Sequence, residues 1–324
     1  MNTTALKRIA GFMLVAVGLT IGVSAQVRND AIKAFNAGVG IMKTDVPAAI
    51  DSFERCVEIS ELVGESADDI KQRAVGVIPG LYFQIAYDIV TAGDDNNGAI
   101  QAAKKSLAVA EQYGNTSVEE NSKKVLVQGY TTMASGFFSS KENEKAIAAF
   151  DSVLMIDPEH LNSIYNKALI YRGLGNTEEF GASIDLYIEK LAATGDSARV
   201  DQAKGIATDY FRVEATKANQ AEDLEGAVAL LTAASKYGPD KNISYLFANV
   251  LNKQENFSEA AENALLGLEL ETGSAEEKAK FYYELAVAQV GMGQTSEACT
   301  NFSNASYGDF AEASEAQRTN LKCQ

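Results

Sequence analysis

The sequence predicts an all-α solenoid of about seven helix-turn-helix units closed by a C-terminal helix. Three observations predict it. Proline occurs only 4 times in 324 residues, tryptophan is absent, and the helix formers Ala, Leu, Glu and Lys dominate. Apolar and small residues recur at i, i+4 and i+7, the spacing of one helix face. A fixed pattern then repeats along the chain: a small residue, a second small residue twelve positions later, and an aromatic or small residue four beyond that.

The N-terminus differs from the rest. Lys7 and Arg8 precede an uncharged, mostly apolar run from Ile9 to Val23, and Val23 and Ala25 stand as small residues before Gln26. This is the pattern of a secretory leader over 1–25, cleaved after Ala25. The run is short for a membrane span, which needs ~20 apolar residues. An uncleaved anchor is the alternative. The expectation is export, with the periplasm as destination and no transmembrane span in the mature chain, 26–324.

The repeats follow. "FNAGVGIMKTDVPAAIDSFERCV" carries Ala37, Ala49, Phe53 and Cys56. "TTMASGFFSSKENEKAIAAFDSV" carries Ala134, Ala146, Phe150 and Val153. After Asp157-Pro158 a new helix starts near Leu161, because proline disfavours helical geometry in the residue before it. "FANVLNKQENFSEAAENALLG" carries Ala248, Ala260, Ala264 and Gly267, and the last copy carries Ala286, Ala298, Phe302 and Ala305. Weaker copies centre on Ala86 with Ala99 and on Ala215 with Ala227; another has Ala168, with its turn stretched through "NTEEFGAS" to Tyr187. Each reads as helix, short polar turn, helix. The units centre near 37–60, 79–113, 127–160, 161–194, 207–240, 241–274 and 279–308, with a capping helix over 309–322 that turns Ala313, Ala316 and Leu321 inward.

Three steps between units are longer than the others. Acidic stretches such as "EISELVGESADDIKQRA" and "AATGDSARVDQA" supply the excess, and their helix formers predict extended helices rather than long loops.

The pattern resembles the tetratricopeptide repeat, over about 27–312. Its marks are the paired small residues, the aromatic and a proline at the repeat end, where Pro158 and Pro239 stand; the family tryptophan is missing. The resemblance implies a right-handed superhelix whose first helices line a groove for a protein or peptide partner. Carried over repeat by repeat, the groove candidates are Phe83, Tyr87, Phe138, Tyr165, Arg172, Tyr245, Asn249, Asn252 and Tyr283. Rings supply contact area at low entropy cost, and carboxamides can pair with a peptide backbone. These same rings can instead pack between repeats. Some relatives grip a terminal carboxylate with lysines and asparagines; the matching places here hold Thr131, Ser135, Tyr165 and Tyr245, so that clamp is not expected.

Little in the chain points to chemistry. The formal charge is −16, and −18 without Lys7 and Arg8, which disfavours nucleic acid as a partner. A lone histidine, His160, sits in an inter-repeat turn and cannot build a two-histidine zinc site. No GxSxG elbow, Walker loop or CxxC pair is present. "GDDNNG" at 93–98 fails as a calcium loop, since Gly93 and Lys104 fall where ligands are needed. No catalytic residue, metal, cofactor or small-molecule substrate is expected. Cys56 reads as core. Cys299 and Cys323 are placed either to form a disulfide or to lie as two buried thiols. The leading expectation is a non-catalytic interaction scaffold of the cell envelope. Its rivals are a self-associating structural subunit and, further off, an enzyme working by carboxylates alone.

Overall fold

The computed structural model describes residues 20–324, with side chains described from Gln26. The leader expected over 1–25 therefore lies outside the residues whose side chains are described. The chain is an all-α helical-repeat protein, with no strand among the described residues. It divides into two compact units, the first ending at Pro158 and the second covering Glu159–Gln324.

The first unit contains three hairpins: α1 (Thr20–Ile41) with α2 (Val46–Val63), α3 (Asp68–Ala92) with α4 (Asn96–Tyr113), and α5 (Thr116–Ser139) with α6 (Asn143–Ile156). α2, α4 and α5 start where a side chain takes an orphan N–H. The carboxylate of Asp45 accepts from Ala48 at 3.1 Å, Asp95 accepts from Gly98 at 2.7 Å, and Asn115 accepts from Val118 at 3.1 Å. Each such cap stabilises its helix by ~1 kcal/mol. Asp95 thus gives the "GDDNNG" stretch its structural role, and Gly93 before it closes α3 in the left-handed region at φ 77°.

The alanine pattern marks the crossing points. Ala49, Ala86, Ala99, Ala134 and Ala146 are all fully buried. Ala37 is the exception: it is exposed, and the adjacent Gly38 faces α2. The connection between α1 and α2, 42–45, is one residue longer than that between α5 and α6, 140–142, and the inward position moves from Ala37 to Gly38. Glycine is needed there, since a Cβ on Gly38 would stand 2.9 Å from the Phe53 ring. Phe53 also meets Phe35 edge-on at 5.3 Å, and Cys56 is buried beside them.

The excess length of the long steps is helix. α3 and α5 run 25 and 24 residues. The stretch Glu65–Ala92 is long and apolar enough to cross a membrane by length and composition. Here its face with Ile70, Ala74, Ile78, Leu81, Ala86 and Val90 is buried in the unit. Its N-terminus is tied to α1 by Arg28, which donates to Asp69 at 2.9 Å and to the Ser66 carbonyl at 2.6 Å. Arg28 holds the Asp69 carboxyl below its ordinary range.

The second unit contains four hairpins: α7 (Leu161–Leu174) with α8 (Thr177–Ala193), α9 (Ser197–Gln220) with α10 (Leu224–Ser235), α11 (Lys241–Lys253) with α12 (Phe257–Leu270), and α13 (Ala275–Gly291) with α14 (Thr295–Asn304). A closing helix α15 (Ala311–Leu321) follows. The lone histidine serves as the cap of α7, where the Nδ1 of His160 accepts from the Ser163 N–H at 3.3 Å. Asn176, Asp196, Asp223 and Asp240 cap the next helices, and Ser274 with Glu277 forms a capping box on α13.

Two expectations are corrected in this unit. The α7–α8 turn is not stretched: α8 starts at Thr177, so "NTEEFGAS" is its cap and first turns. Phe180, twelve residues after Ala168, takes the second small position and is fully buried, with Ile184 four residues beyond it. At the C-terminus, Ala316 is exposed and Ser314 is buried instead. A 3₁₀ turn at Gly308–Phe310 sets the start of α15 and rotates its inward face onto Phe310, Ser314, Gln317 and Leu321. The Phe310 ring packs on Tyr283 at 5.3 Å, and Cys299 is joined to Cys323 with Cα atoms 5.5 Å apart.

Candidate protein-binding face

The groove candidates lie on first helices of the hairpins, and the structure separates them by what each side chain already does. In the first unit, Phe83 and Tyr87 share one face of α3 with ring centroids 5.9 Å apart. Phe83 packs on the cluster built from Ala86, Ile100 and Leu126, whereas Tyr87 is 52% exposed. Phe138 stands in the last turn of α5, 38% exposed, and makes no ring contact with them.

In the second unit the candidates fall into two groups. Tyr245, Asn249 and Asn252 on α11 gather around Glu284 of α13. The Asn249 carboxamide donates to Glu284 Oε1 at 2.9 Å, and that of Asn252 donates to Oε2 at 2.8 Å and to the Glu284 carbonyl at 2.9 Å. Asn252 is buried in consequence, at 9% exposure. Burial pushes the Glu284 carboxyl above its ordinary range, against the pull of both amides and Lys253. Burial first, then the Glu284 charge, pushes the Tyr245 hydroxyl up to about 12. The Lys280 ammonium stands 5.3 Å over the Tyr245 ring. Tyr283 packs between Phe302 and Phe310. These side chains bind one repeat to the next, which spacing alone could not distinguish from partner contact.

The other group is open. On α7 and α9, Asn162, Tyr165, Gln202, Ala203 and Ile206 surround a depression of about 290 Å³, with Tyr187 and Arg199. Tyr165 leans on Tyr187 at 4.9 Å, and Arg199 donates to the Tyr187 hydroxyl at 3.0 Å. A second depression of about 340 Å³ shares Ile206 and is lined by Arg172, Asp209, Tyr210, Val213 and Glu214. Both of its acids have cationic neighbours: Asp209 pairs with Arg212 at 3.1 Å and Glu214 with Lys217 at 2.7 Å. Arg172 is exposed and has no ion pair among the described residues. The Tyr210 hydroxyl is buried without a hydrogen-bond partner, and burial raises its pKa. Val213 is 42% exposed. Tyr210, Val213 and Ile206 carry no mark of the repeat pattern, so sequence reasoning did not select them; their signal was being apolar or aromatic on an extended first helix.

No family model matches the chain, and no curated protein matches it. Similar solved structures include MamA, at 14% identity over 61% of this chain and 97% of that one, with a TM-score of 0.33. YrrB, described as a TPR protein with an unusual peptide-binding site, matches at 19% identity over 59% of this chain and 89% of that one, with a TM-score of 0.32. A tetratricopeptide repeat protein from Parabacteroides merdae matches at 14% identity over 91% of this chain and 99% of that one, with a TM-score of 0.30. Likeness this distant carries no argument about binding, and the repeat assignment rests on the chain's own hairpins.

Proposed function

We propose that this chain is a non-catalytic interaction scaffold that holds a protein segment on the first-helix face of α7 and α9. The observation that carries this reading is the contrast between two parts of one surface. Asn249 and Asn252 are engaged by Glu284, whereas Arg172 and Val213 are exposed and Arg172 has no ion pair among the described residues. An exposed guanidinium beside apolar and aromatic side chains is the composition that interface centres favour. Catalysis finds no support in what the candidate groups do: His160 and Asp95 cap helices.

Export to the cell envelope is part of the proposal. The leader pattern of 1–25 supports it, as does the disulfide between Cys299 and Cys323, which suits an oxidising compartment.

Affinity capture from native cells tests the reading. The parent chain and the variant Arg172→Glu/Val213→Asp are compared, with helicity confirmed for both. Proteins retained by the parent and lost by the variant support the α7–α9 face. Identical capture by both removes it.

A second reading has its own observation. Leu265 and Leu266 on α12 are 53% and 42% exposed, on a second helix, and such a patch suits self-association. A concentration-dependent mass in light scattering, abolished by Leu265→Lys/Leu266→Lys, would favour that structural-subunit reading.

A further inference from the structure

Away from the first-helix face, the second helices α8 and α10 each pack on α9 rather than on one another. Between them lies a depression of about 290 Å³. Gly181 and Ala182 of α8 line it from one side and Ala229, Leu230 and Ala233 of α10 from the other, over the buried Phe211 of α9. The space exists because four of these wall residues are small. Gly181 also lets α8 come close to the floor, since a Cβ there would stand 3.2 Å from Phe211 Cζ.

The depression is held open by contacts of its own. The Tyr237 ring stacks on Phe211, with centroids 6.1 Å apart and an interplanar angle of 15°. The Tyr237 hydroxyl donates to Asp185 at 2.8 Å, which ties the turn after α10 to α8. A preformed apolar hollow with a few polar groups around it is the form that binding sites take.

Those polar groups select the guest. Glu178 and Asp185 are exposed beside the hollow, and Lys236 is the one cation that lines it. Asp185 already accepts from Tyr237, the neighbour of Lys236 in sequence. Glu178 has no ion pair or hydrogen bond from its side chain among the described residues. The same stripe of α8 runs on to Glu189, and Lys190 is held by Glu159 at 2.6 Å. A second copy of the chain fits such a rim poorly. Its formal charge is −16, and its exposed Leu265 and Leu266 are flanked on α12 by Glu262 and Glu269.

We propose that the α8–α10 hollow seats one apolar side chain of a partner protein, with a lysine or arginine of the same segment drawn to Glu178. The apolar group covers Phe211 and supplies the affinity. The cation supplies orientation and rate, because an exposed charge pair adds little affinity of its own. This site is on the second-helix side and does not depend on a partner at α7 and α9.

The test uses random nine-residue peptides displayed inside a coat protein, with neither end free, and selected on the full chain. The expected winners carry an apolar residue with a lysine or arginine close by. Blocked synthetic copies are then titrated by fluorescence anisotropy. Ala182→Trp fills the hollow from an exposed position and should weaken binding on the order of tenfold or more. Glu178→Lys should weaken it by about two- to fivefold at low salt, and less at high salt. Arg172→Glu/Val213→Asp should leave it unchanged. Should Ala182→Trp fail to fold by circular dichroism, Ala229→Trp fills the hollow from the opposite, equally exposed wall. No enriched peptide of this pattern, or equal affinity for the parent and the filled variant, overturns the proposal. Peptides that survive the filling and are lost with Arg172→Glu/Val213→Asp overturn it too, while supporting the α7–α9 face.

Discussion

Gly267 of α12 lies directly against the Phe281 ring of α13: a Cβ on Gly267 would stand 2.3 Å from Phe281 Cδ1. Phe281 is fully buried, so its ring has no free direction in which to retreat. The backbone of one hairpin is therefore the seat for the aromatic of the next. This contact is how a repeat that cannot bury its own apolar side is covered by its neighbour.

Gly267→Ala should accordingly destabilise the second unit by ~1–3 kcal/mol through overpacking. Gly205, within α9, gives the opposite sign. Nothing lies within 4 Å of its Cβ position, so Gly205→Ala should stabilise the helix by ~0.5–1 kcal/mol. Urea denaturation of both variants, followed by circular dichroism, checks the pair of signs.

The buried hydroxyls of Ser106 and Ser122 bond to each other at 2.8 Å between α4 and α5. Either single alanine variant leaves one buried hydroxyl unpaired, at a cost of ~1–3 kcal/mol. The double alanine variant should cost less than the two singles together. A double-mutant cycle in urea reads the difference, and strict additivity would show that the pair does not couple.

Glu271 behaves oppositely to Glu284 although both are little exposed. Lys241, 2.8 Å away, and then the Gly273 N–H hold the Glu271 carboxyl below its ordinary range. A depressed folded value gives stability that is present above 4.5 and lost as pH falls through the folded value. Lys241→Met should flatten the acid limb of the melting temperature. An unchanged acid limb would mean that this pair is not a source of acid sensitivity.

Reduction of the Cys299–Cys323 bond frees a loop of 24-residue separation. Loop-closure entropy for that length is ~3–4 kcal/mol. The effect should stay local, since each hairpin touches only its neighbours. Hydrogen exchange should rise in α14 and α15 on reduction and remain unchanged in α7 and α8.

The alanine ladder made the hairpins legible because a close helix crossing leaves room for little else: Ala134, Ala168, Ala248 and Ala286 are all fully buried. Ala37 misled because the inward position of α1 falls one residue on, at Gly38, before a connection one residue longer than that of α5 and α6, and connection length is not written in the helix pattern. Phe180 was overlooked because a large side chain fills a place where a small one was sought. The site was less legible than the fold. Asn249 and Asn252 have the chemistry of peptide readers, but their engagement depends on Glu284, 32 residues beyond Asn252 in sequence. Tyr210 and Val213 were invisible because an extended first helix presents a face that the repeat marks do not index.

The measurement closest to the central claim is site-specific photocrosslinking in native cells, with the reactive group at position 213 and, separately, at position 265. Position 213 lies on the first helix α9 and position 265 on the second helix α12. Adducts with another protein from position 213 and not from 265 are the predicted result. Adducts from 265 alone, or in equal yield from both, would contradict a partner held on the α7–α9 face.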